Sequence, residues 1–119
     1  MIEYGADGKS KLAVLWTTAD SEAAEYMVFM YTKNAKVKGW FDVVRLIVWG
    51  PSARELAENP ELQGMVKEML DLGVEVAACR ECAERYGVVD ALELLGIDVL
   101  YIGEPFSGML KADWKVLAL

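Results

Sequence analysis

Apolar positions along this chain fall into short continuous runs, separated by stretches with helical spacing. Lys11-Leu12-Ala13-Val14-Leu15-Trp16-Thr17 is the first run, with a turn signal behind it, and predicts a buried strand. Thr18, Asp20 and Ser21 then offer side-chain oxygens that cap a helix, and Glu22 suits the positive end of its dipole. That helix is expected to reach about Ala35. Its segment Tyr26-Met27-Val28-Phe29-Met30-Tyr31 is apolar for six residues, more than one full turn. A helix apolar on every side needs cover on every side, so one side is expected to meet another subunit.

Gly39 breaks the pattern, and the second strand is predicted within Phe41–Trp49, where Val43–Trp49 is interrupted only by Arg45. Gly50-Pro51-Ser52 turns the chain into a short helix ending near Glu58. Asn59 caps the next, with Pro60 at its first position, where a missing N–H costs nothing. Leu62, Val66, Met69 and Leu70 line one face of it up to the terminator Gly73. Val74–Ala78 predicts the third strand, leading directly into a helix over Cys79–Tyr86 that Gly87 stops. Asp90 is read as the cap of another short helix closed by Gly96. Ile97–Ile102 and Trp114–Leu119 are the fourth and fifth strands.

Strands thus alternate with helices, with no hairpin signal and no internal repeat. This order predicts an α/β fold: a three-layer flavodoxin-like sandwich around a five-stranded, mostly parallel sheet covered on both faces. One domain over residues 1–119 is expected, with 1–10 as a loosely ordered arm.

Composition supports a self-sufficient core, since 55% of the 119 residues are apolar. A disordered chain and a disulfide-stapled scaffold are excluded. No apolar run approaches the roughly 20 residues of a membrane helix, and Met1-Ile2-Glu3-Tyr4-Gly5 lacks the regions of a signal peptide, so a cytoplasmic protein is expected. Nucleic acid and anionic membrane surfaces are not expected partners, because the net charge is −7. Lys33, Lys36 and Lys38, the one basic cluster, are read as solvating a helix end. With no histidine in the chain, Ser-His-Asp and Cys-His catalysis and His-bearing zinc sites fall away.

Two motifs fail on inspection. Gly8-Lys9-Ser10 resembles the tail of a phosphate loop, but Glu3 stands where its first glycine belongs, and the first strand follows instead of preceding it. No Gly-x-Gly-x-x-Gly follows a strand, so no dinucleotide, and indeed no cofactor, is expected. Two cysteines supply half of a zinc site.

Those cysteines, Cys79 and Cys82, carry the surviving signal. Cys79 falls where the third strand yields to its helix, on the edge where open parallel sheets bind ligands. A first-turn position aims free N–H groups at the sulfur and favours its thiolate, with Arg80 helping and Glu81 and Glu84 opposing. Cys82, one turn on, completes a Cys-x-x-Cys pair of the kind used in redox chemistry. Its surroundings lack Trp-Cys-Gly-Pro, and a buried cysteine often only fills space. Thr17, Thr18, Asp20, Ser21, Gly50, Pro51, Ser52, Gly103, Glu104 and Pro105 follow other strands at the same edge and are candidate pocket residues, together with Arg80. Capping and turn formation account for most of them equally well. Met27, Met30, Met65 and Met69 are read as core fillers, and Trp49 as core or interface.

Over nearly its whole length the chain resembles the DsrE/DsrF-like family. The resemblance runs through Leu12–Thr18 and Leu46–Ser52 to Gly73-Val74-Glu75-Val76-Ala77-Ala78-Cys79-Arg80-Glu81-Cys82, then Tyr86-Gly87 and Gly96–Pro105. It implies a small flavodoxin-like fold assembled into dimers, trimers or hexamers, and a sulfur-relay role like that of TusBCD-type subunits. The cysteine that carries a persulfide in such proteins stands eight residues before a helix-ending glycine, as Cys79 stands before Gly87. Cys82 matches a position where only some members have cysteine. Three functions are therefore carried forward. The first is a sulfur carrier, sulfurtransferase-like and no free-standing turnover enzyme, loaded on Cys79 between donor and acceptor proteins. The second is a Cys79–Cys82 dithiol redox protein. The third is a non-catalytic binding or assembly subunit that meets its partners through the apolar first helix; on any of the three, a homo-oligomer formed through helix 21–35 is expected.

Overall fold

Five strands form one sheet in the order β4-β3-β2-β1-β5. They are β1 (Lys11–Trp16), β2 (Val43–Val48), β3 (Glu75–Cys79), β4 (Asp98–Leu100) and β5 (Lys115–Ala118), and every neighbouring pair is parallel. The structure, a computed structural model, describes residues 8–119. The predicted arm over 1–10 lies largely outside the described residues. Ser10 is held in place: its N–H and hydroxyl meet the Asp42 carboxylate at 2.9 and 3.2 Å.

Alternation along each strand divides the side chains between two apolar layers. Leu12, Val14, Trp16, Leu46, Val48, Val76 and Ala78 face one side. Against them pack a π-helical turn (Ala24–Phe29), which continues α1 (Ser21–Ala23), and then α2 (Met30–Val37), α3 (Pro51–Glu58), α4 (Pro60–Asp71), α5 (Arg80–Tyr86) and α6 (Val89–Glu93). The opposite layer holds Ala13, Ile47, Ala77, Cys79 and Trp114, covered among the described residues by one helix, α7 (Gly103–Lys111), through Met109. The three-layer α/β architecture expected from the alternation is the one observed, and its sheet is wholly parallel.

Local chemistry explains most boundaries. Asp20 caps α1 by accepting from the N–H groups of Glu22 and Ala23 at 2.9 and 3.0 Å. Asn59 does the same for α4 at Glu61 and Leu62. Gly87 ends α5 at φ 70°, in the left-handed region that a side chain disfavours. The π-helical turn adds a residue per turn and brings Ala24, Val28 and Phe29 inward together; Phe29 meets the Trp16 ring edge-on at 4.9 Å.

Three expectations need correction. Asp90 caps nothing: α6 begins after Val88 without a side-chain cap, and Asp90 lies inside its first turn. Helix α7 joins β4 to β5, where the sequence pattern predicts no helix. Met27 and Met30 are not core fillers, since the inward side of their helix is taken by Val28, Phe29 and Thr32, leaving both more than half exposed.

Ser52 ties two strand ends together. Its buried hydroxyl lies 2.6 Å from the Trp16 carbonyl and accepts from the Trp49 N–H at 3.1 Å. Ser52→Ala removes these bonds while the Trp49 N–H keeps its bond to the Trp16 carbonyl at 3.0 Å, so it should cost about 0.5–1.5 kcal/mol in urea denaturation. An unchanged midpoint would show that the hydroxyl is dispensable.

Candidate functional site

Parallel strands bring all their carboxyl ends to one edge, and Cys79 stands at that edge. It closes β3, pairs in register with Leu100 of β4, and serves as the N-cap residue of α5. From β3 the chain leaves toward the face bearing α5, and from neighbouring β4 toward the face bearing α7. Adjacent connections that diverge to opposite faces open a crevice at the strand ends, the usual ligand position in α/β sheets.

The Cys79 side chain lies on the α7 side, in one apolar cluster with Ala77, Ile102 and Met109, and is only 5% exposed. Burial is the main influence on its ionisation and pushes the thiol upward. The N–H groups of Cys82 and Glu81 oppose this by favouring the anion, while the adjacent Cys82 thiol raises it further. The lowered pKa expected from a first-turn position is therefore overturned by desolvation. Cys82 is half-buried and touches both apolar layers. Neither cysteine is in a disulfide.

Arg80 does not assist the thiolate. Its guanidinium turns aside to the Val99 carbonyl at 3.3 Å, Glu84 at 3.5 Å and Glu93 at 3.9 Å. Glu84 also accepts from the Tyr101 hydroxyl, whose pKa is raised by that bond.

The candidate loop residues do gather at the same edge, and most of them serve local structure there. Thr17 bonds the Leu119 carbonyl through both N–H and hydroxyl, and its carbonyl accepts from the Ser52 N–H. Thr18 accepts from the Asp20 N–H, Asp20 caps α1, and Ser21 is that helix's first residue. Gly50 takes φ 75° and ψ −142° before Pro51 begins α3. Gly103 and Glu104 form the exposed first turn of α7. These roles are capping and strand-tying, and none places a polar atom against Cys79.

One feature escaped the sequence reading. Among the described residues α7 is the one helix over the second face, and a cleft of about 400 Å³ remains over β2, β3 and β4, lined by Arg45, Glu75, Ala77, Asp98, Leu100 and Ile102 among others. Arg45 forms an ion pair with Glu75 and stacks on Trp114 at 4.6 Å. The lone basic residue within the apolar second strand was its only trace in sequence. Among the described residues, no group of three or more cysteine, aspartate or glutamate side chains is arranged to hold a metal ion. Nor is any described helix long and apolar enough to cross a membrane.

No family model matches the chain. No curated protein matches it either. Among solved structures, BT1422 of Bacteroides thetaiotaomicron, a conserved protein of unknown function, is similar at 36% identity and a TM-score of 0.89, over 92% of this chain and 95% of that one. The ychN protein of E. coli is 19% identical with a TM-score of 0.67, over 92% and 99% of the two chains. MTH1491 of Methanobacterium thermoautotrophicum, also of unknown function, is 21% identical with a TM-score of 0.72, again over 92% and 99%. The last two share the fold.

Proposed function

We propose, from the premise that the chain belongs to one family with BT1422, that it is a cytoplasmic sulfur carrier of the DsrE/DsrF type. The observation that carries this reading is the position of Cys79, at the end of β3 beside the diverging β4 connection. The resemblance around Cys79 and Gly87 supports it. The Cys79 thiolate attacks the outer sulfur of a donor protein's persulfide, the donor thiolate leaves, and Cys79 becomes the persulfide. An acceptor thiolate then attacks that same outer sulfur and releases the Cys79 thiolate. The N–H groups of Glu81 and Cys82 favour the anion at each stage.

A second reading has an observation of its own: the Cys82 thiol stands close enough to influence Cys79. Cys82 attacking the inner sulfur of a Cys79 persulfide would expel hydrosulfide and form an intramolecular disulfide. The same pair would serve dithiol–disulfide exchange with a partner disulfide.

Intact mass spectrometry after incubation with inorganic polysulfide separates the readings. The carrier predicts a reducible gain of one sulfur atom in wild type and Cys82→Ser, and none in Cys79→Ser. Loss of two hydrogens, abolished by either substitution, favours the redox pair. No product in any variant overturns both and leaves an assembly subunit.

A further inference from the structure

We propose that the cleft over β2, β3 and β4 binds a small organic cation, a primary ammonium carried on an apolar body. This goes beyond the thiol chemistry and does not depend on it. The cleft follows from register. Arg45 stands opposite Glu75, Asp98 opposite Ala77 and Leu100 opposite Cys79, and alternation turns these pairs toward the α7 side. The middle of that face is only the methyl group of Ala77, and Gly96, two residues before Asp98, adds no side chain. Between this low floor and the longer side chains of Leu100 and Met109 about 400 Å³ stays open, within the range of small-molecule sites.

Charge decides the occupant. The ionic groups of the lining are Arg45, Glu75 and Asp98, so negative charge is in excess there. Arg45 is already neutralised, its Nε and Nη2 both donating to the single oxygen Oε1 of Glu75. Asp98 is exposed, and among the described residues no ion pair engages it. Its carboxylate and that of half-exposed Glu75 stand on neighbouring strands, two positions out of level, which sets their Cα atoms about 8 Å apart. One ammonium between them has three donors, enough for both carboxylates and a water. An anion would have to draw Arg45 away from Glu75 and pass Asp98. A neutral apolar molecule would strip water from two carboxylates and offer nothing in return. A cation with an apolar remainder satisfies the acidic rim and the apolar floor at once.

The test is a titration of the isotope-labelled full chain with phenethylammonium, followed through backbone amide shifts by NMR. The amides of Ala77, Asp98 and Leu100 should move along one saturating curve. Phenethyl alcohol and hydrocinnamate keep the ring and lose the positive charge, and should bind at least about tenfold more weakly. Asp98→Asn, at an exposed position, should weaken phenethylammonium binding about threefold or more. Ala77→Leu fills the floor and should remove binding, with circular dichroism to confirm its fold. Hydrocinnamate binding as tightly as the ammonium would overturn the proposal by making Arg45 the anchor. So would unchanged affinity in Asp98→Asn, shifts scattered away from the cleft, or no approach to saturation by about 20 mM.

Discussion

Glu75→Ala should lower the unfolding free energy by about 2–3 kcal/mol, whereas Arg45→Met should change it by less than about 1 kcal/mol. The asymmetry follows from where the two charges sit. Arg45 is 4% exposed on β2, within a strand otherwise apolar, and its Nε donates to Glu75 at 3.0 Å while Nη2 donates to the same carboxylate oxygen. Nη1 donates to the Met109 sulfur at 3.8 Å, a weak acceptor. Removing Glu75 strands a buried cation, and losing one partner of such a pair costs roughly 3–5 kcal/mol when both are fully buried. The Glu75 side chain is half exposed, so water reaches one edge of the guanidinium and the loss is smaller. Methionine at position 45 keeps length and contact with the Trp114 ring, carries no charge, and leaves Glu75 free to hydrate. A double-mutant cycle by urea denaturation measures the coupling: the double variant should be more stable than Glu75→Ala alone. Equal losses from the two single substitutions would mean that the pair is held as loosely as a surface bridge.

This pair also shows where sequence reading stops. Arg45 and Glu75 are thirty positions apart and become neighbours only through register, with Arg45 opposite Glu75 across β2 and β3. Features decided within one element were legible. Asn59-Pro60 announced α4, Gly73 and Gly87 ended their helices, and the short apolar runs marked strands to within two or three residues. The helix at Gly103–Lys111 was not legible, because it opens on Gly103-Glu104-Pro105 and contains Gly108, residues that signal a turn. That omission spread to the site. α7 covers the layer that holds Cys79, and a helix start considered without that cover predicts a lowered pKa where burial raises it. On the first helix, apolarity was plain in sequence, but which residues face inward depended on the π-helical turn, and the outward set became visible only in three dimensions.

Cys79 should therefore react with iodoacetamide at least about tenfold more slowly than Cys82 near pH 8, despite its place at a helix start. Alkylation requires a thiolate and an open path, and at Cys79 burial works against both. Burial raises its pKa, so its rate should still be climbing above about pH 8.5, where a free cysteine is half ionised. The linkage has one sign: a native thiol that holds its proton more tightly than the unfolded chain adds no pH dependence below the unfolded pKa, and stability falls as pH rises through the native one. The path is closed by the start of α7, where buried Ile102 shares the apolar cluster of Cys79. Ile102→Ala should speed labelling of Cys79 several-fold and leave Cys82 nearly unchanged, read by peptide mass spectrometry over a time course. Equal rates for the two thiols, or a Cys79 profile that levels off below pH 8, would mean that the helix-start N–H groups outweigh desolvation. Under the proposed sulfur-carrier function, a slow profile would mean that a donor protein meets a protonated and covered thiol. Loading then depends on an encounter that lifts the first turn of α7, which exposes the sulfur and removes the desolvation that kept its proton on.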